Sequence, residues 1–368
     1  MVSQPSPRRV RSIVDRSLRK SLSLMKRVLV SHPTLRNALM DVSSTSEFTN
    51  LYEHEKMLAD QDRMRAYERA IARYVKPGET VVDLGTGSGI LALFAARNRP
   101  ARIYAIDHSD FIEVAEAIAR HNTDYAIDFV KVNSRHFEPA EKVDVIVHEQ
   151  IGDELFEENM IQNLLDLRRR VLKEGGRIIP GRFELYMEPF AFKPAFRVPY
   201  IWEMRYGELD FNCLRDSALI ERYKPASHRF RYIEPNAVDH LLCKPEPVLA
   251  FDLNDPTFDG RIAIGRQVKV VDRPGRMDGV CIYFKVIFDD EIRFDTSPLH
   301  SQGSNWGNRC FRTPERACDV GSTITFDVKM GSYLLPETWE LMLGEAGEVV
   351  GDANGGKEAR GVAGVTGG

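Results

Sequence analysis

The stretch Val81-Val82-Asp83-Leu84-Gly85-Thr86-Gly87-Ser88-Gly89-Ile90-Leu91 decides how the rest of the chain is read. A short apolar run, rich in β-branched residues, breaks into three glycines separated by single residues. The segment that follows, Leu91-Ala92-Leu93-Phe94-Ala95-Ala96, has the composition of a helix. Strand, glycine turn and helix form the opening unit of a nucleotide-binding α/β sheet. Glycine at such a turn lets backbone approach a ligand where a Cβ would collide. A second apolar segment, Arg102-Ile103-Tyr104-Ala105-Ile106, ends in Asp107. An acid at the tip of the second strand is placed to accept hydrogen bonds from ribose hydroxyls.

No Gly-Lys-Ser/Thr follows the three glycines, so a phosphate-cradling loop is not expected. A ligand with ribose but no phosphate fits, and S-adenosylmethionine is such a ligand. Asp83, Gly85, Gly87, Gly89 and Asp107 are the cofactor-binding candidates of this segment.

Outward from the turn, the chain divides by pattern. Residues 1–45 are basic, with interleaved apolar residues that predict an amphipathic helix. Residues 46–180 form the cofactor-binding domain. A helical pattern runs from His54 to Val75 and ends at Pro77-Gly78. Beyond the turn, strands at 102–106, 127–132, 143–148 and 177–187 alternate with helices at 110–122 and 158–172. That alternation predicts a Rossmann-like parallel sheet covered on both faces. After Pro180-Gly181 come short alternating runs at 183–188, 247–251, 264–271, 278–288 and 322–329. They predict an antiparallel β-barrel or sandwich domain over 181–343, with an aromatic-rich helical insertion at 195–225. The Gly-rich tail 344–368 has no apolar pattern and is expected to be disordered.

With 368 residues the chain can hold two cores. Its formal net charge of −4 gives no general attraction to nucleic acid or to membranes. No run of ~18 apolar residues is present, so no spanning helix is expected. The start lacks the apolar block of a secretory signal, and a cytoplasmic location is expected. Five scattered cysteines without a CxxC pair predict reduced thiols and no metal site.

The strand Val143–His148 runs into Glu149-Gln150-Ile151-Gly152-Asp153-Glu154-Leu155-Phe156-Glu157-Glu158. Gly152 permits a turn, so Glu149 and Glu158 can face each other from two arms of a hairpin. Two carboxylates converging on one pocket suit a guanidinium, which offers paired N–H donors to each. A solvated acidic loop is the plainer alternative, and Glu154 and Glu157 are read as solvated. His148, beside Glu149 on an alternating strand, faces the other side and is read as structural.

The stretch from Phe48 to about Trp306 resembles the protein arginine methyltransferase family. His54-Glu55-Lys56-Met57-Leu58-Ala59-Asp60-Gln61-Asp62-Arg63 is similar to the helix preceding the family's glycine turn. The glycine turn itself and the Glu149-to-Glu158 hairpin, with Gly152, Leu155, Phe156 and Met160, match in order and spacing. The resemblance implies a Rossmann-like methyltransferase domain, then a β-barrel with a helical dimerisation arm. It implies S-adenosylmethionine as cofactor and Glu149 and Glu158 as catalytic residues. By it, Arg63 pairs with the cofactor's methionine carboxylate, Met57 and Met160 pack near the sulfonium, and His54 joins the cofactor contacts. Ser134 stands where an acid would read the adenine amine. Trp202, Tyr206-Gly207 and Cys213 resemble the arm, implying a homodimer. Asn305 and Trp306, in the place of a Thr-His-Trp loop, and Phe48, in the place of a tyrosine, are implied substrate-binding residues. The expected substrate is arginine in a protein or peptide. A small-molecule or peptide-natural-product methyltransferase on the same scaffold, and a non-catalytic partner subunit, are the alternatives. The expected substrate partner is a protein, peptide or small-molecule guanidino compound.

Overall fold

The structure is a computed structural model that describes residues 50–223, 230–300 and 306–344. The amphipathic segment 1–45, Phe48, Asn305 and the tail beyond residue 344 lie outside the described residues.

The helical pattern expected from His54 to Val75 is two helices, α1 (Leu51–Ala59) and α2 (Gln61–Tyr74). The chain breaks at Asp60, whose backbone is extended and whose carboxylate accepts the amide N–H of Arg63 at 3.1 Å. That bond caps the second helix. The apolar spacing runs on across the break, so periodicity alone does not register it.

Five strands follow: β1 (Thr80–Leu84), β2 (Arg102–Asp107), β3 (Asp128–Lys131), β4 (Val143–His148) and β5 (Leu172–Ile179). They form one parallel sheet in the order β3-β2-β1-β4-β5. The helices α3 (Ile90–Ala96), α4 (Ile112–Asn122) and α5 (Met160–Arg170) connect them. The order reverses between β1 and β4, and the crevice at such a reversal is where open α/β sheets hold ligands. The glycine turn leaves the end of β1, and Glu149 follows the end of β4. The expected strand 177–187 is two strands, because Pro180-Gly181 separates β5 from β6 (Arg182–Phe192). Proline offers no N–H to a ladder, and at Gly181 a Cβ would lie 1.9 Å from Asn254 Nδ2.

The second half is antiparallel. A small hairpin of β7 (Arg205–Tyr206) and β8 (Leu209–Asp210) comes first. Then follow β9 (Phe230–Ile233), β10 (Val238–Leu241), β11 (Pro247–Asp252) and β12 (Gln267–Val270). The series ends with β13 (Gly275–Ile287), β14 (Arg293–Asp295), β15 (Asn308–Cys318), β16 (Thr323–Met330) and β17 (Trp339–Leu343). One sheet runs β10-β6-β13-β15-β9, with β11 on β6 and β14 on β13, and a second runs β12-β16-β17. The segment expected to be a helical insertion is less regular than that. It holds three 3₁₀ turns, the β7–β8 hairpin and one short helix, α6 (Ala218–Tyr223).

One apolar core runs through both halves. Val82, Ile146 and Leu164 of the parallel half pack in one cluster with Phe183, Phe284 and Phe326 of the antiparallel half. On α5, Met160, Ile161, Leu164 and Leu167 are buried at helical spacing, so a single face carries the contact. The junction is also polar. The Arg168 guanidinium donates to the carbonyls of Leu253, Asp255 and Phe258 at 2.7 to 2.8 Å. The Asn254 side chain bonds both backbone groups of Ile178 at 2.7 and 3.0 Å.

Candidate active site

Gly85, Gly87 and Gly89 have φ of +69°, +50° and +79°, the left-handed region that favours glycine. At Gly87 a Cβ would also lie 2.9 Å from His54 Cε1. His54 is buried and stacks on Phe111, with centroids 3.8 Å apart and rings 10° from parallel. The α1 helix therefore lies directly over the turn.

Two aspartates hold the turn in shape. Asp83 is buried, and its Oδ2 accepts the Thr86 hydroxyl at 2.6 Å and the Ala92 N–H at 3.0 Å. Burial pushes its carboxyl up to about 7, against the pull of those two hydrogen bonds. Asp107 Oδ2 accepts the Gly87 N–H at 3.0 Å, and its Oδ1 accepts Ser109 N–H and Oγ, each at 2.8 Å.

A cavity opens above the carboxyl ends of β1, β2 and β4. It brings together nine of the residues singled out from sequence: His54, Met57, Arg63, Gly85, Gly87, Asp107, Ser134, Glu149 and Glu158. Three other cofactor candidates do not line it. Asp83 lies beneath the turn, Gly89 faces Ala115, and Met160 is fully buried in the core rather than beside the reacting centre. Sequence reasoning missed Tyr67, Asn133, Gln150 and Asn163 as lining residues. An i, i+4 step from Asn159 to Asn163 on α5 was the available signal for Asn163, whose amide donates to Gln150 Oε1 at 3.2 Å.

The hairpin is tight. Gly152 and Leu155 form an antiparallel bridge, with the Leu155 N–H donating to the Gly152 carbonyl at 2.9 Å. Glu149 and Glu158, on the two arms, both face the cavity. Arg63 Nη1 lies 3.3 Å from Glu149 Oε2, and its Nη2 donates to the Met57 carbonyl at 2.5 Å. Burial raises the Glu149 carboxyl, while Arg63 opposes the rise. Glu149 Oε1 and Arg63 Nε have no hydrogen-bond partner among the described residues.

Trp306 stands behind this pair. Its indole N–H donates to the Ile151 carbonyl at 2.8 Å, and its ring lies 5.3 Å from the Arg63 guanidinium. It is buried against Phe284 and Phe294 and does not itself line the cavity. Expected as a substrate contact, Trp306 instead touches Arg63.

Glu154 and Glu157 are not a solvated face. Glu154 is 1% exposed and lies 3.1 Å from Arg309 Nε. Its backbone N–H donates to both Glu157 oxygens, at 3.2 and 3.0 Å. Tight turning buries Glu154 and leaves Glu157 half-buried. His148 is fully buried, and its Nε2 meets the Pro180 carbonyl at 2.9 Å. A carbonyl only accepts, so Nε2 carries the proton, and burial holds the ring's pKa down at about 4.

The cavity fits a nucleoside with an amino-acid arm. The glycine turn and Asp107 supply close backbone and a carboxylate at one side, Met57 and Leu84 supply apolar wall, and Arg63 and the glutamates supply charge at the other. Comparison with known proteins agrees. Residues 66–181 match the family model of Ribosomal protein L11 methyltransferase (PrmA). Protein arginine N-methyltransferase 6 of Danio rerio is 30% identical over 268 residues, covering 70% of this chain and 75% of its own. Protein arginine N-methyltransferase 1 of Dictyostelium discoideum is 35% identical over 256 residues, covering 67% and 71%.

The chain belongs to the protein arginine N-methyltransferase family. It is an S-adenosylmethionine-dependent methyltransferase of that family. Its fold follows that of solved arginine methyltransferases. One is the Trypanosoma brucei PRMT1 enzyme-prozyme heterotetrameric complex with AdoHcy, with a TM-score of 0.67 at 19% identity, covering 82% of this chain and 95% of that one. Another is Arabidopsis thaliana Protein Arginine Methyltransferase 10, described as uniquely open, with a TM-score of 0.63 at 23% identity, covering 77% and 89%. Among the described residues no helix is long and apolar enough to cross a membrane.

Proposed function

We propose that this chain methylates a guanidino nitrogen of arginine in a protein or peptide. The single observation that carries the reading is that Glu149 and Glu158, on opposite arms of one turn, line the same cavity as the glycine turn. Bound S-adenosylmethionine supplies a methyl group on a positively charged sulfur. The residues that would hold it are Gly85 and Gly87 by backbone, His54 over the turn, Asp107 at the ribose, and Asn133 and Ser134 at the base. Met57 and Arg63 would hold the amino-acid arm.

The remaining work belongs to the two glutamates. A guanidinium is a poor nucleophile because its lone pairs are delocalised and its pKa exceeds ~12. Glu149 and Glu158 draw its charge onto the nitrogens they touch and leave a lone pair on the nitrogen facing the cofactor. Holding that nitrogen in line replaces a rare encounter with a fixed approach. The two carboxylates also meet the positive charge as it arrives on the substrate. Burial beside Arg63 keeps water from weakening these contacts.

Assembly as a homodimer is part of the same proposal. The segment that resembles the family's arm leaves Tyr206 80% and Leu209 64% exposed, and apolar side chains so placed are commonly covered by a partner. Analytical ultracentrifugation of the chain and of Tyr206→Asp tests it, and a monomeric wild type at micromolar concentration would reject it.

The function is tested by incubating the protein with tritiated cofactor and an arginine-rich peptide, then hydrolysing and separating the amino acids. Label in methylarginine is expected. Label confined to a small molecule, or no label with cofactor bound, would overturn the reading.

A further inference from the structure

The buried charges beneath the hairpin take no part in the chemistry described so far. Glu154 is almost fully buried, and a cation, Arg309 on β15, lies 3.1 Å from it. Glu157 folds back over Gly152, where a Cβ would lie 2.5 Å from Glu157 Oε2 and 2.9 Å from its Cβ. Glu157 is held there by the Glu154 N–H, and the next residue in the chain is Glu158. Arg309 therefore grips the bend four residues before one clamp carboxylate.

The segment leading into that strand grips the other arm. Trp306, three residues before Arg309, donates its indole N–H to Ile151, two residues after Glu149. Arg309 stacks on Tyr232 of β9 at 4.3 Å and bonds its hydroxyl, and that hydroxyl reaches Asp153 Oδ2 at 3.3 Å. Ile151, Asp153 and Glu154 are thus tied in turn to a single edge of the antiparallel sheet.

We propose that Arg309 is a positioning residue: by balancing Glu154 under the bend it sets where Glu149 and Glu158 stand. Without Arg309, the buried Glu154 carboxyl lies beside half-buried Glu157 with no cation next to it, and a buried polar group stripped of its partner is strongly destabilising. The bend escapes that strain by opening toward water, which separates the clamp. Burial and the adjacent Glu157 already raise the Glu154 carboxyl. The inference rests on the clamp reading for its catalytic consequence, but its structural part is independent of substrate.

The experiment compares Arg309→Met, Arg309→Lys and the double change Arg309→Met/Glu154→Gln. Hydrogen exchange of amides 152–158 is read without substrate, and S-adenosylhomocysteine affinity and turnover on an arginine peptide are read alongside. In Arg309→Met these amides exchange about tenfold faster and kcat falls about tenfold or more, while cofactor-product affinity stays within about twofold. Arg309→Lys recovers part of both. The double change, which removes the carboxyl left without its cation, restores amide protection and most of the turnover. Unchanged protection in Arg309→Met overturns the proposal, as does a loss that Glu154→Gln does not repair. If Arg309→Met does not fold, a folded double variant with native protection supports the proposal and an unfolded one overturns it. Should the wild type leave arginine peptides unmethylated, the function proposed above fails, and the exchange data still decide the role of Arg309.

Discussion

The carboxyl edge of the parallel sheet carries two acidic regions in different states of completion. At the tips of β1 and β2, Asp83 and Asp107 bond Thr86, Ala92, Gly87 and Ser109, so the glycine turn is braced by the protein itself. At the tip of β4, Glu149 meets Arg63 at 3.3 Å and keeps one oxygen without a hydrogen-bond partner among the described residues. The first region is shaped before any ligand arrives. The second stores unsatisfied charge, as a site does when its partner comes from outside. Adjacent residues show the same contrast: His148 is neutral and locked to Pro180, and Glu149 one step on keeps an oxygen without a hydrogen-bond partner among the described residues.

The sharpest way to break this contrast is at the clamp. Glu149→Gln and Glu158→Gln should each lower kcat about 100-fold or more, with S-adenosylhomocysteine affinity by isothermal titration within about twofold. Equal losses of affinity and rate would make the clamp part of the cofactor site and erase the distinction.

The next largest effect concerns the locked neighbour. His148 has its pKa lowered from 6.5 to about 4 by burial. Between those values the unfolded chain binds a proton that the folded chain refuses. Its stability contribution is therefore complete above pH 6.5 and falls as pH drops toward 4. Linkage gives a loss of about 2 kcal/mol at pH 5 relative to pH 8. Urea unfolding at both pH values, with His148→Gln as control, measures it. An equally steep loss in the variant assigns the slope to other groups.

The braced region should respond through cofactor affinity rather than rate. Gly87→Ala forces a Cβ into the left-handed backbone region and against His54. We expect about 1 kcal/mol or more of destabilisation and about tenfold weaker cofactor binding, read by thermal shift and titration. The smallest change expected is Asp107→Asn, which keeps one acceptor for the Gly87 N–H and gives up charge at the ribose. Cofactor affinity should drop a few-fold, by about 1 kcal/mol, with kcat at saturation unchanged. A kcat loss there would tie the turn to the chemical step.

The legible parts of the sequence were those with local signatures. The glycine turn, the strand tips and the hairpin ends are written in contiguous residues, and the structure places Gly87, Asp107, Glu149 and Glu158 around one cavity. The break at Asp60 was hidden because the helical period persists through a cap. The Arg63–Glu149 pair joins residues far apart in sequence, and no local pattern encodes it. Glu154 was misread because a run of acids looks solvated until the fold supplies Arg309 from another strand. Trp306 was found by its motif, yet its burial behind Arg63 follows from packing alone.

The two-residue link at Pro180-Gly181 has a consequence for handling the protein. With Arg168 and Asn254 stitched across it and Leu164 sharing a core with Phe183 and Phe284, truncation at residue 180 would expose a greasy flank on α5. Such a fragment should precipitate on expression. Chimaeras with related enzymes should exchange the seam on both sides of the link together.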